Sequence, residues 1–314
     1  MVPLLSRVLT SLEYRRIAGP PSLASSNSNA VDAEPLWELQ TNLLGEAAQH
    51  RPTKVEPVEG VDGAFLVHDV LLPDECRALI HLSESIGFSH GETLVEVPRD
   101  IRSNDVVVFA VQNAMAAILS ERLKTHVPMD GHGNAKRTDP TFVNQRWRCY
   151  RYLPPRDCDE NDGKATAAAR GQAFGPHYDG AQPLNVVKDS QLVDEEPAKG
   201  IVRLSQLTIL LYLNDGHAGG DTIFYPTKEA TPDAPTVRVA PRMGAALCFR
   251  HGHHPLSPLH AGSPLLAGAR EPKYVIRTEA LYATEAAPAN SDTWMGSSYA
   301  RALMHAHKAS SAAP

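Results

Sequence analysis

Two stretches in the first half of the chain place apolar residues at helical spacing. The first helix is predicted between Pro73 and Gly87, with Asp74 as its N-cap. Its inward-facing residues are Leu79, Leu82 and Ile86. The second helix is predicted over 113–124, before Pro128. Its inward-facing residues are Met115, Ile118, Leu119 and Leu123. Each helix therefore offers one apolar face for packing against a core.

From residue 142 onward the helical period disappears, and short runs of β-forming residues take its place. Glycine and proline separate these runs, as they do between strands. Strands are predicted over 63–72, 92–97, 105–111, 145–153, 205–214, 221–226, 236–240, 245–249 and 273–282. Helices followed by regularly spaced strands predict an all-β sandwich or barrel with the helices packed outside it.

The chain divides into four segments by composition. The first 30 residues are rich in serine and carry Glu13 as their single acid, so 1–34 is predicted to be a disordered or targeting tail. Residues 35–141 are predicted to form a helical and β support region, and 142–285 the β core. Residues 286–314 read as a solvated C-terminal tail.

Charge, hydropathy and cysteine usage limit the kinds of partner and the cellular compartment that are expected. The net charge is −6 and no five like charges follow one another, so no nucleic-acid partner is expected. No stretch of about 18 apolar residues occurs, so no membrane span is expected. The four cysteines form no C-x-x-C pair, which favours a reducing intracellular compartment. The cytoplasm is the first expectation, and the mitochondrion is the alternative if the N-terminal tail is a transit peptide.

The stretch FGPHYDG carries a histidine and an aspartate two positions apart. If this stretch is extended, His177 and Asp179 share one face and Tyr178 lies opposite. Two histidines and one carboxylate bind iron(II) in oxygenases and leave coordination positions open. The simpler interpretation is a turn with a polar pair. A third ligand would have to come from a later strand, and the candidates are His251, His253, His254 and His260.

The residues that follow His260 favour it over the other three histidines. A glycine-proline turn comes next and leads into the predicted strand 273–282. One face of that strand would hold Lys273, Val275, Arg277 and Glu279. Such a strand can carry a cation to the far end of a metal site. The other three histidines are then expected to be exposed loop residues, and the alternative is a supporting or adventitious role at the metal.

Further motifs give the chain a specific likeness. Over about residues 60 to 283 it contains, in order, YRYLP, GPHYDG, LTILLYLND, GGDTIFYP, PRMGAALCF, LHAGSPLLAG and KYVIRTEALY. This order resembles the Fe(II)- and 2-oxoglutarate-dependent dioxygenases, in particular the prolyl 4-hydroxylase-like branch, and LLPDECRALIHLSESIGF matches a helix that precedes the barrel there. The resemblance implies a mainly β (α+β) fold with a double-stranded β-helix, or jelly-roll, core and flanking N-terminal helices.

The resemblance also implies site residues. The iron ligands would be His177, Asp179 and His260. Lys273, at the start of the KYVIRT strand, would pair with the distal carboxylate of 2-oxoglutarate. Arg270, by spacing alone, and Arg277, on the same strand face, are the alternatives. Tyr152 matches a family tyrosine that hydrogen-bonds the co-substrate, and Tyr150 lies on its side of the strand. Both tyrosines could instead belong to the barrel core.

The implied cofactors are Fe(II), 2-oxoglutarate and O2, with ascorbate as a further candidate. The implied reaction hydroxylates a substrate and releases succinate and CO2. Asp179 favours hydroxylation, because halogenating relatives lack this carboxylate. The branch implies a prolyl residue in a protein or peptide as substrate. The same chemistry on a small molecule and a non-catalytic jelly-roll binding module are the alternatives, and the sequence carries no signal for the oligomeric state.

Several loops are expected near the mouth of such a barrel. The insertion 155–173 and the segment 181–203 are candidate substrate-gripping lids, with flexible surface loops as the default. IRSND (101–105) resembles a family segment that could hold substrate, although a surface turn is the simpler expectation. In GGDTIFYP, Gly219 and Gly220 are predicted to form a tight turn into a strand.

Overall fold

A computed structural model describes residues 14–17, 36–45, 50, 52, 54–90, 102–155, 171–189, 191–194, 201–231 and 233–285. The predicted strand 92–97, most of the insertion 155–173 and the C-terminal tail lie outside the described residues, as does the N-terminal tail apart from 14–17. Among the described residues, no helix is both long enough and apolar enough to cross a membrane.

The described part of the chain is mainly β. The helices are α1 (Pro73–Ile86) and α2 (Asn113–Leu123). The strands are β1 (Tyr14–Ile17), β2 (Leu36–Leu39), β3 (Val55–Pro57), β4 (Phe65–Val67), β5 (Ser89–His90), β6 (Asp105–Ala110), β7 (Lys136–Arg137), β8 (Arg146–Tyr152), β9 (Phe174–His177), β10 (Asn185–Lys188), β11 (Gln191–Asp194), β12 (Ile201–Tyr212), β13 (Thr222–Tyr225), β14 (Val237–Val239), β15 (Ala246–Arg250), β16 (Leu259–Gly262) and β17 (Lys273–Glu285).

The strands form a larger sheet, a smaller sheet and one separate two-stranded hairpin, β10–β11. The larger sheet has the order β1-β2-β6-β8-β17-β12-β15-β4-β3, and the smaller has the order β14-β13-β16-β9. From β8 onward the chain passes back and forth between them, with β8, β12, β15 and β17 in the larger sheet and β9, β13, β14 and β16 in the smaller. Residues far apart in sequence therefore become neighbours.

The larger sheet is covered on both faces. The cluster on the helix side includes Leu79, Leu119, Ile209 and Ile276. The cluster on the side of the smaller sheet includes Tyr212, Phe224, Leu247 and Val275. The layers are thus helices, larger sheet and smaller sheet, and burial of apolar side chains on both faces is the main stabilising term.

The start of α1 differs from the prediction. Leu72, not Asp74, is the N-cap, and the Leu72 N–H donates to Glu75 Oε2 at 2.8 Å. Glu75 can reach back because it is the third helical residue. Asp74 lies in the first turn and pairs with Arg77. The other end of the helix is as predicted, since Gly87 follows it with a φ of 92°.

The Glu75 carboxylate also joins the two helices. Arg122 of α2 donates to its Oε2 at 2.7 Å and to its Oε1 at 2.8 Å, and the Gly45 N–H donates to Oε1 at 2.7 Å. Both side chains of the ion pair are fully buried. Because a buried charge is costly without its partner, this pair constrains how α1 and α2 lie against each other.

Most predicted strands are present with shifted ends. Only β4 remains of the predicted strand 63–72, because the chain turns at Asp69, whose φ is 55°. β12 starts at Ile201 and β17 runs to Glu285, since these two ends pair with each other. Several strands of two to four residues, including β9 and β16, were not predicted because alternation is hard to detect in so short a run.

Part of the segment 181–203 is ordered as the hairpin β10–β11. Leu192 in this hairpin is fully buried. The Asn185 N–H donates to Asn144 Oδ1 at 3.0 Å, and Asn144 Nδ2 donates to Pro183 O at 3.0 Å. The default expectation of a flexible loop is therefore wrong for this hairpin, which is hydrogen-bonded to Asn144 just before β8.

Candidate metal centre and co-substrate pocket

Two histidines face each other across adjacent strands of the smaller sheet. β9 and β16 pair antiparallel, with His177 directly opposite His260. Residues opposite each other in this way project to the same face of a sheet, and the two ring centroids lie 4.3 Å apart. Asp179 follows just beyond the end of β9, and its carboxylate reaches the same point.

The three side chains are spaced to share one metal ion. His177 Nε2 lies 3.7 Å from Asp179 Oδ1, and His260 Nε2 lies 3.7 Å from Asp179 Oδ2. One ligand atom from each residue lies within 4.8 Å of the others. Two imidazoles and one carboxylate are the donor set that binds iron(II) and leaves positions open for other ligands. The chemistry of the donors therefore fits the metal that the sequence predicts.

Hydrogen bonds orient both rings toward that point. His177 Nδ1 donates to Gly175 O at 2.8 Å, and His260 Nδ1 donates to Pro258 O at 3.2 Å. Each Nε2 then keeps its lone pair for a metal. Burial lowers the pKa of His177 to about 3 and also lowers the pKa of His260, so both rings are neutral at neutral pH.

Residues 102–105 are not the surface turn expected from the sequence. Arg102 is buried and forms a β-bridge with Phe174. Its Cζ lies 4.8 Å from the Phe174 ring centroid and 5.1 Å from that of Tyr150. Phe174 in turn stacks on the His177 ring with centroids 3.7 Å apart. These cation–π contacts, together with a hydrogen bond from Arg102 Nε to Asn104 Oδ1 at 3.2 Å, stabilise the buried guanidinium beside His177.

A pocket extends from the three ligands to Lys273. The predicted site residues that line it are Tyr150, Tyr152, His177, Asp179, His260, Lys273 and Arg277. Arg270, the alternative partner for the co-substrate, is exposed in the loop before β17 and is not among the lining residues. The structure thus brings together every predicted iron and co-substrate residue except Arg270.

Lys273 lines the same pocket four residues before Arg277 on β17, and Arg277 is the residue of that strand that reaches Asp179. Because a strand rises about 3.3 Å per residue, Lys273 lies away from the three candidate ligands. It pairs with Tyr152 across β17 and β8, and its Nζ lies 4.7 Å from the Tyr152 ring centroid. Nζ donates to Gly220 O at 2.6 Å, and no described carboxylate hydrogen-bonds it. The side chain is 1% exposed, and burial lowers the pKa of Lys273 to about 8. A buried ammonium group that hydrogen-bonds one carbonyl oxygen and no described carboxylate favours an anionic ligand.

Arg277 lies at the metal end of the pocket. Its Nη1 is 3.2 Å from Asp179 Oδ1, and its Nη2 is 3.4 Å from Glu279 Oε1, which also accepts from Arg148 at 2.6 Å. Burial opposes the charge on Arg277, but Asp179 and Glu279 raise its pKa. Burial likewise opposes ionisation of Asp179, and Arg277 holds the pKa of that carboxyl well below its usual range. Both groups stay charged.

Thr208 and His251 contribute to the site but were not predicted to do so. Thr208 Oγ1 donates to Asp179 Oδ2 at 2.7 Å and lies 2.7 Å from His251 Nδ1. His251 is fully buried, so the expectation of an exposed loop histidine is wrong for this residue. The chain turns back at Gly252, whose φ is 64° and whose N–H donates to Asp179 O at 2.9 Å. The available sequence signal was a histidine directly after a buried strand.

The other two histidines of that loop stay away from the metal ligands. His253 is exposed, as expected, and His254 is partly buried. His254 Nδ1 accepts a hydrogen bond from the Leu256 N–H at 3.1 Å, which is a contact within its own turn. Neither residue belongs to the group of side chains that could share a metal.

The predicted glycine turn supports the lysine end of the pocket. Gly219 and Gly220 have φ values of 77° and 79°, as a tight turn into β13 requires. Gly220 presents its carbonyl to Lys273 Nζ. A Cβ on Gly219 would lie 2.6 Å from Pro264 O, so a side chain there would push the turn away from the neighbouring loop.

Gly219→Ala is expected to destabilise the protein more than Gly216→Ala. Both glycines have a φ of 77°, but a Cβ on Gly216 would meet nothing within 4 Å. The shared left-handed conformation costs about 1–2 kcal/mol, and steric overlap adds about 1–3 kcal/mol at Gly219 alone. Urea unfolding of the two variants measures the difference. Equal losses would mean that the loop around Pro264 relaxes without cost.

No protein-family model matches this sequence, and no curated protein matches it. Solved structures are similar at low identity. A viral collagen prolyl hydroxylase from Paramecium Bursaria Chlorella virus-1, in a 2OG complex, is 16% identical with a TM-score of 0.39, over 70% of this chain and 96% of that one. A Trichoplax adhaerens prolyl hydroxylase, in complex with a hypoxia inducible factor peptide fragment, is 18% identical with a TM-score of 0.42, over 70% and 83%.

A third similar structure is that of a protein named for a different reaction, an epimerisation. The non-heme alpha ketoglutarate dependent epimerase SnoN from nogalamycin biosynthesis is 14% identical with a TM-score of 0.39, over 75% of this chain and 86% of that one. At these TM-scores the similarity decides neither reaction nor substrate, so the function proposed below depends on the side chains of the site.

Proposed function

We propose that the protein is an Fe(II)- and 2-oxoglutarate-dependent dioxygenase that hydroxylates a protein side chain, with a prolyl residue as the first candidate. The observation that carries this proposal is one pocket with His177, Asp179 and His260 at one end and the buried Lys273 at the other. The reaction converts a substrate C–H group, O2 and 2-oxoglutarate into C–OH, succinate and CO2. Bound iron and 2-oxoglutarate would supply the oxidising power, and the protein supplies binding and orientation.

The two ends of the pocket suit the two ends of 2-oxoglutarate. Lys273 is the proposed partner of the distal carboxylate, in a charge-assisted hydrogen bond. Tyr152 is available as a second donor, because burial raises its pKa and keeps the hydroxyl protonated. Arg277 is less suited to the distal carboxylate, since Asp179 and Glu279 already pair with it at the metal end.

Between these two ends the pocket lining is largely apolar and aromatic. The residues concerned are Tyr150, Phe174, Leu210 and Val275. Such a lining excludes water, and water exclusion strengthens the electrostatic contacts at both ends. Tyr150 therefore has a role in the proposed site by lining it, even though it also packs in the core between the sheets.

We also propose that 142–285 is a double-stranded β-helix, or jelly roll, with α1 and α2 flanking it. Two four-stranded orders support this assignment, β8-β17-β12-β15 in the larger sheet and β14-β13-β16-β9 in the smaller. Successive strands that alternate between two facing sheets are typical of a jelly roll. Residues 35–141 would then be the support region that covers the outer face of the larger sheet.

A prolyl side chain in a protein or peptide is proposed as the substrate from the sequence resemblance. The carboxylate of Asp179 in the ligand set supports hydroxylation over halogenation. Arg102 lies over two aromatic residues that line the pocket, which supports a position for 102–105 close to the substrate. The small-molecule alternative involves the same iron and co-substrate residues.

We propose an intracellular location for this enzyme. Cys76, Cys149 and Cys248 are free thiols in the described part of the chain, which supports a reducing compartment. Cytoplasm and mitochondrion both fit a reduced protein, and fractionation of cells that produce the full chain distinguishes them.

The proposed function is tested by turnover of the purified full-length protein with Fe(II), ascorbate, 2-oxoglutarate, isotopically labelled O2 and a library of proline-containing peptides. The expected result is succinate release that requires Fe(II), together with a peptide that carries one labelled oxygen atom. Succinate release without an oxidised peptide would mean turnover uncoupled from the substrate, with ascorbate as the reductant, and would call for the same assay with small-molecule substrates. A protein that releases no succinate and binds no Fe(II) would instead be a non-catalytic binding module.

A further inference from the structure

A chain of buried hydrogen bonds leads away from the Asp179 carboxylate. Thr208 Oγ1 lies 2.7 Å from Asp179 Oδ2 and 2.7 Å from His251 Nδ1. Ser205 Oγ lies 2.8 Å from His251 Nε2 and 2.8 Å from the backbone nitrogen of Gln182. Asp179 is 3% exposed, and Thr208, His251 and Ser205 are 0% exposed. The chain is therefore shielded from competing water.

The donors and acceptors of this chain set its direction. A carboxylate only accepts, so the single hydroxyl hydrogen of Thr208 is donated to Asp179 Oδ2. The Thr208 oxygen must then accept from His251, which requires a hydrogen on Nδ1. The Gln182 N–H donates to Ser205 Oγ, which leaves the Ser205 hydrogen free to be donated to His251 Nε2. Every polar atom of the chain then has a partner.

Asp179 depends on this support more than the two histidines do. It follows the end of β9, so strand pairing does not hold its backbone. The Gly252 N–H donates to Asp179 O at 2.9 Å, while Thr208 holds Oδ2 and Arg277 approaches Oδ1 at 3.2 Å. The segment that contains His251 thus holds both the backbone and the side chain of the carboxylate.

We propose that Thr208 and His251 are positioning residues that hold the Asp179 carboxylate in the orientation that binds the metal. This inference rests on the proposed function, because it takes Asp179 as a metal ligand. His251 acts through Thr208, since it contacts the hydroxyl and not the carboxylate. Outer partners of this kind typically change metal affinity by about 10- to 100-fold when they are removed.

The test measures metal affinity in the full-length protein and does not depend on turnover. Mn²⁺ is titrated into the protein without 2-oxoglutarate, and free Mn²⁺ is followed by its electron paramagnetic resonance signal. Thr208→Val keeps the side-chain shape and removes the hydroxyl, so it is expected to weaken Mn²⁺ binding by about 10- to 100-fold. Thr208→Ser keeps the hydroxyl and is expected to restore most of the affinity.

A second pair of variants tests the histidine independently. His251→Leu removes the donor to Thr208 and is expected to weaken Mn²⁺ binding. In His251→Asn the side-chain amide N–H can take the place of Nδ1–H. This variant is therefore expected to bind Mn²⁺ more tightly than His251→Leu does. This pair also provides the comparison if Thr208→Val does not fold.

Thr278→Val is the matched control. Thr278 is 0% exposed, and its hydroxyl donates to Asn144 O at 3.1 Å, with no contact to Asp179. It is expected to lower the free energy of unfolding while leaving Mn²⁺ affinity at the wild-type value. Two results would overturn the positioning role and leave the proposed function intact. One is equal Mn²⁺ affinity in wild type and Thr208→Val, and the other is equal weakening in Thr208→Val and Thr278→Val. A wild-type protein that binds no Mn²⁺ and no Fe(II) would overturn both.

Discussion

His177→Ala is expected to abolish the visible charge-transfer band that forms when Fe(II) and 2-oxoglutarate bind together without O2. The band requires an iron chelate, and the substitution removes one of the three proposed protein ligands. The loss of Fe(II) affinity should exceed the 10- to 100-fold that is typical of removing an outer partner. Anaerobic titration with Fe(II) and 2-oxoglutarate, followed by absorbance, measures the effect. Turnover should be lost in parallel.

His254→Ala is the control for this prediction. His254 is partly buried and makes its hydrogen bond within its own turn, so its removal should leave the band unchanged. Circular dichroism should show that His177→Ala remains folded despite the loss of the stacked contact with Phe174. A band of wild-type intensity in folded His177→Ala would exclude His177 as an iron ligand.

Lys273→Met is expected to raise the dissociation constant of 2-oxoglutarate by about 10- to 100-fold, with little change in Fe(II) affinity. Methionine keeps an apolar chain of similar length and removes the ammonium. A hydrogen bond to a charged group is worth about 1.5–3 kcal/mol, which corresponds to this range of affinity. Titration of the charge-transfer band with 2-oxoglutarate at saturating Fe(II) gives the dissociation constant.

The pH dependence of 2-oxoglutarate binding should report the same lysine. Burial lowers the pKa of Lys273 to about 8, so the ammonium is charged below this pH and neutral above it. Only the charged form pairs with a carboxylate, so affinity should be highest below pH 8 and fall by about tenfold per pH unit above it. Lys273→Met should lose this component of the pH profile.

Arg270→Ala tests whether Arg270, the candidate from spacing alone, binds the distal carboxylate in place of Lys273. Arg270 is exposed outside the pocket, so its removal should leave the dissociation constant of 2-oxoglutarate near the wild-type value. The reverse pattern, with weak binding in Arg270→Ala and normal binding in Lys273→Met, would show that the loop carries the arginine into the site and that Lys273 has another role.

The elements that sequence patterns predict well are those that bury one face over many residues. The periodic leucines of α1 and α2 lie in the core as predicted, and the long strands β8, β12 and β17 fall within or around their predicted runs. β9 and β16 have four residues each, too few for alternation to be read reliably. Their pairing depends on a partner that is distant in sequence.

The site shows the same division. GPHYDG and LHAGSP point to the chemistry through their order among the other motifs and through the family that this order resembles. No local pattern marks Thr208 as a contact of Asp179, since a threonine inside a strand is ordinary. His251 was expected on the surface because the residues after His260 favoured that histidine as the third ligand, whereas the turn at Gly252 places His251 inside.

The amino-acid sequence alone determined the periodicity of the helices and long strands and the residue types that an iron and 2-oxoglutarate site needs. The tertiary structure decided which of these residues meet. Opposite pairing of β9 and β16 sets His177 against His260, and pairing of β17 with β8 places Lys273 against Tyr152. These pairings follow from burial of apolar side chains between the two sheets and beneath the helices, a cooperative property of the whole chain that no local stretch specifies.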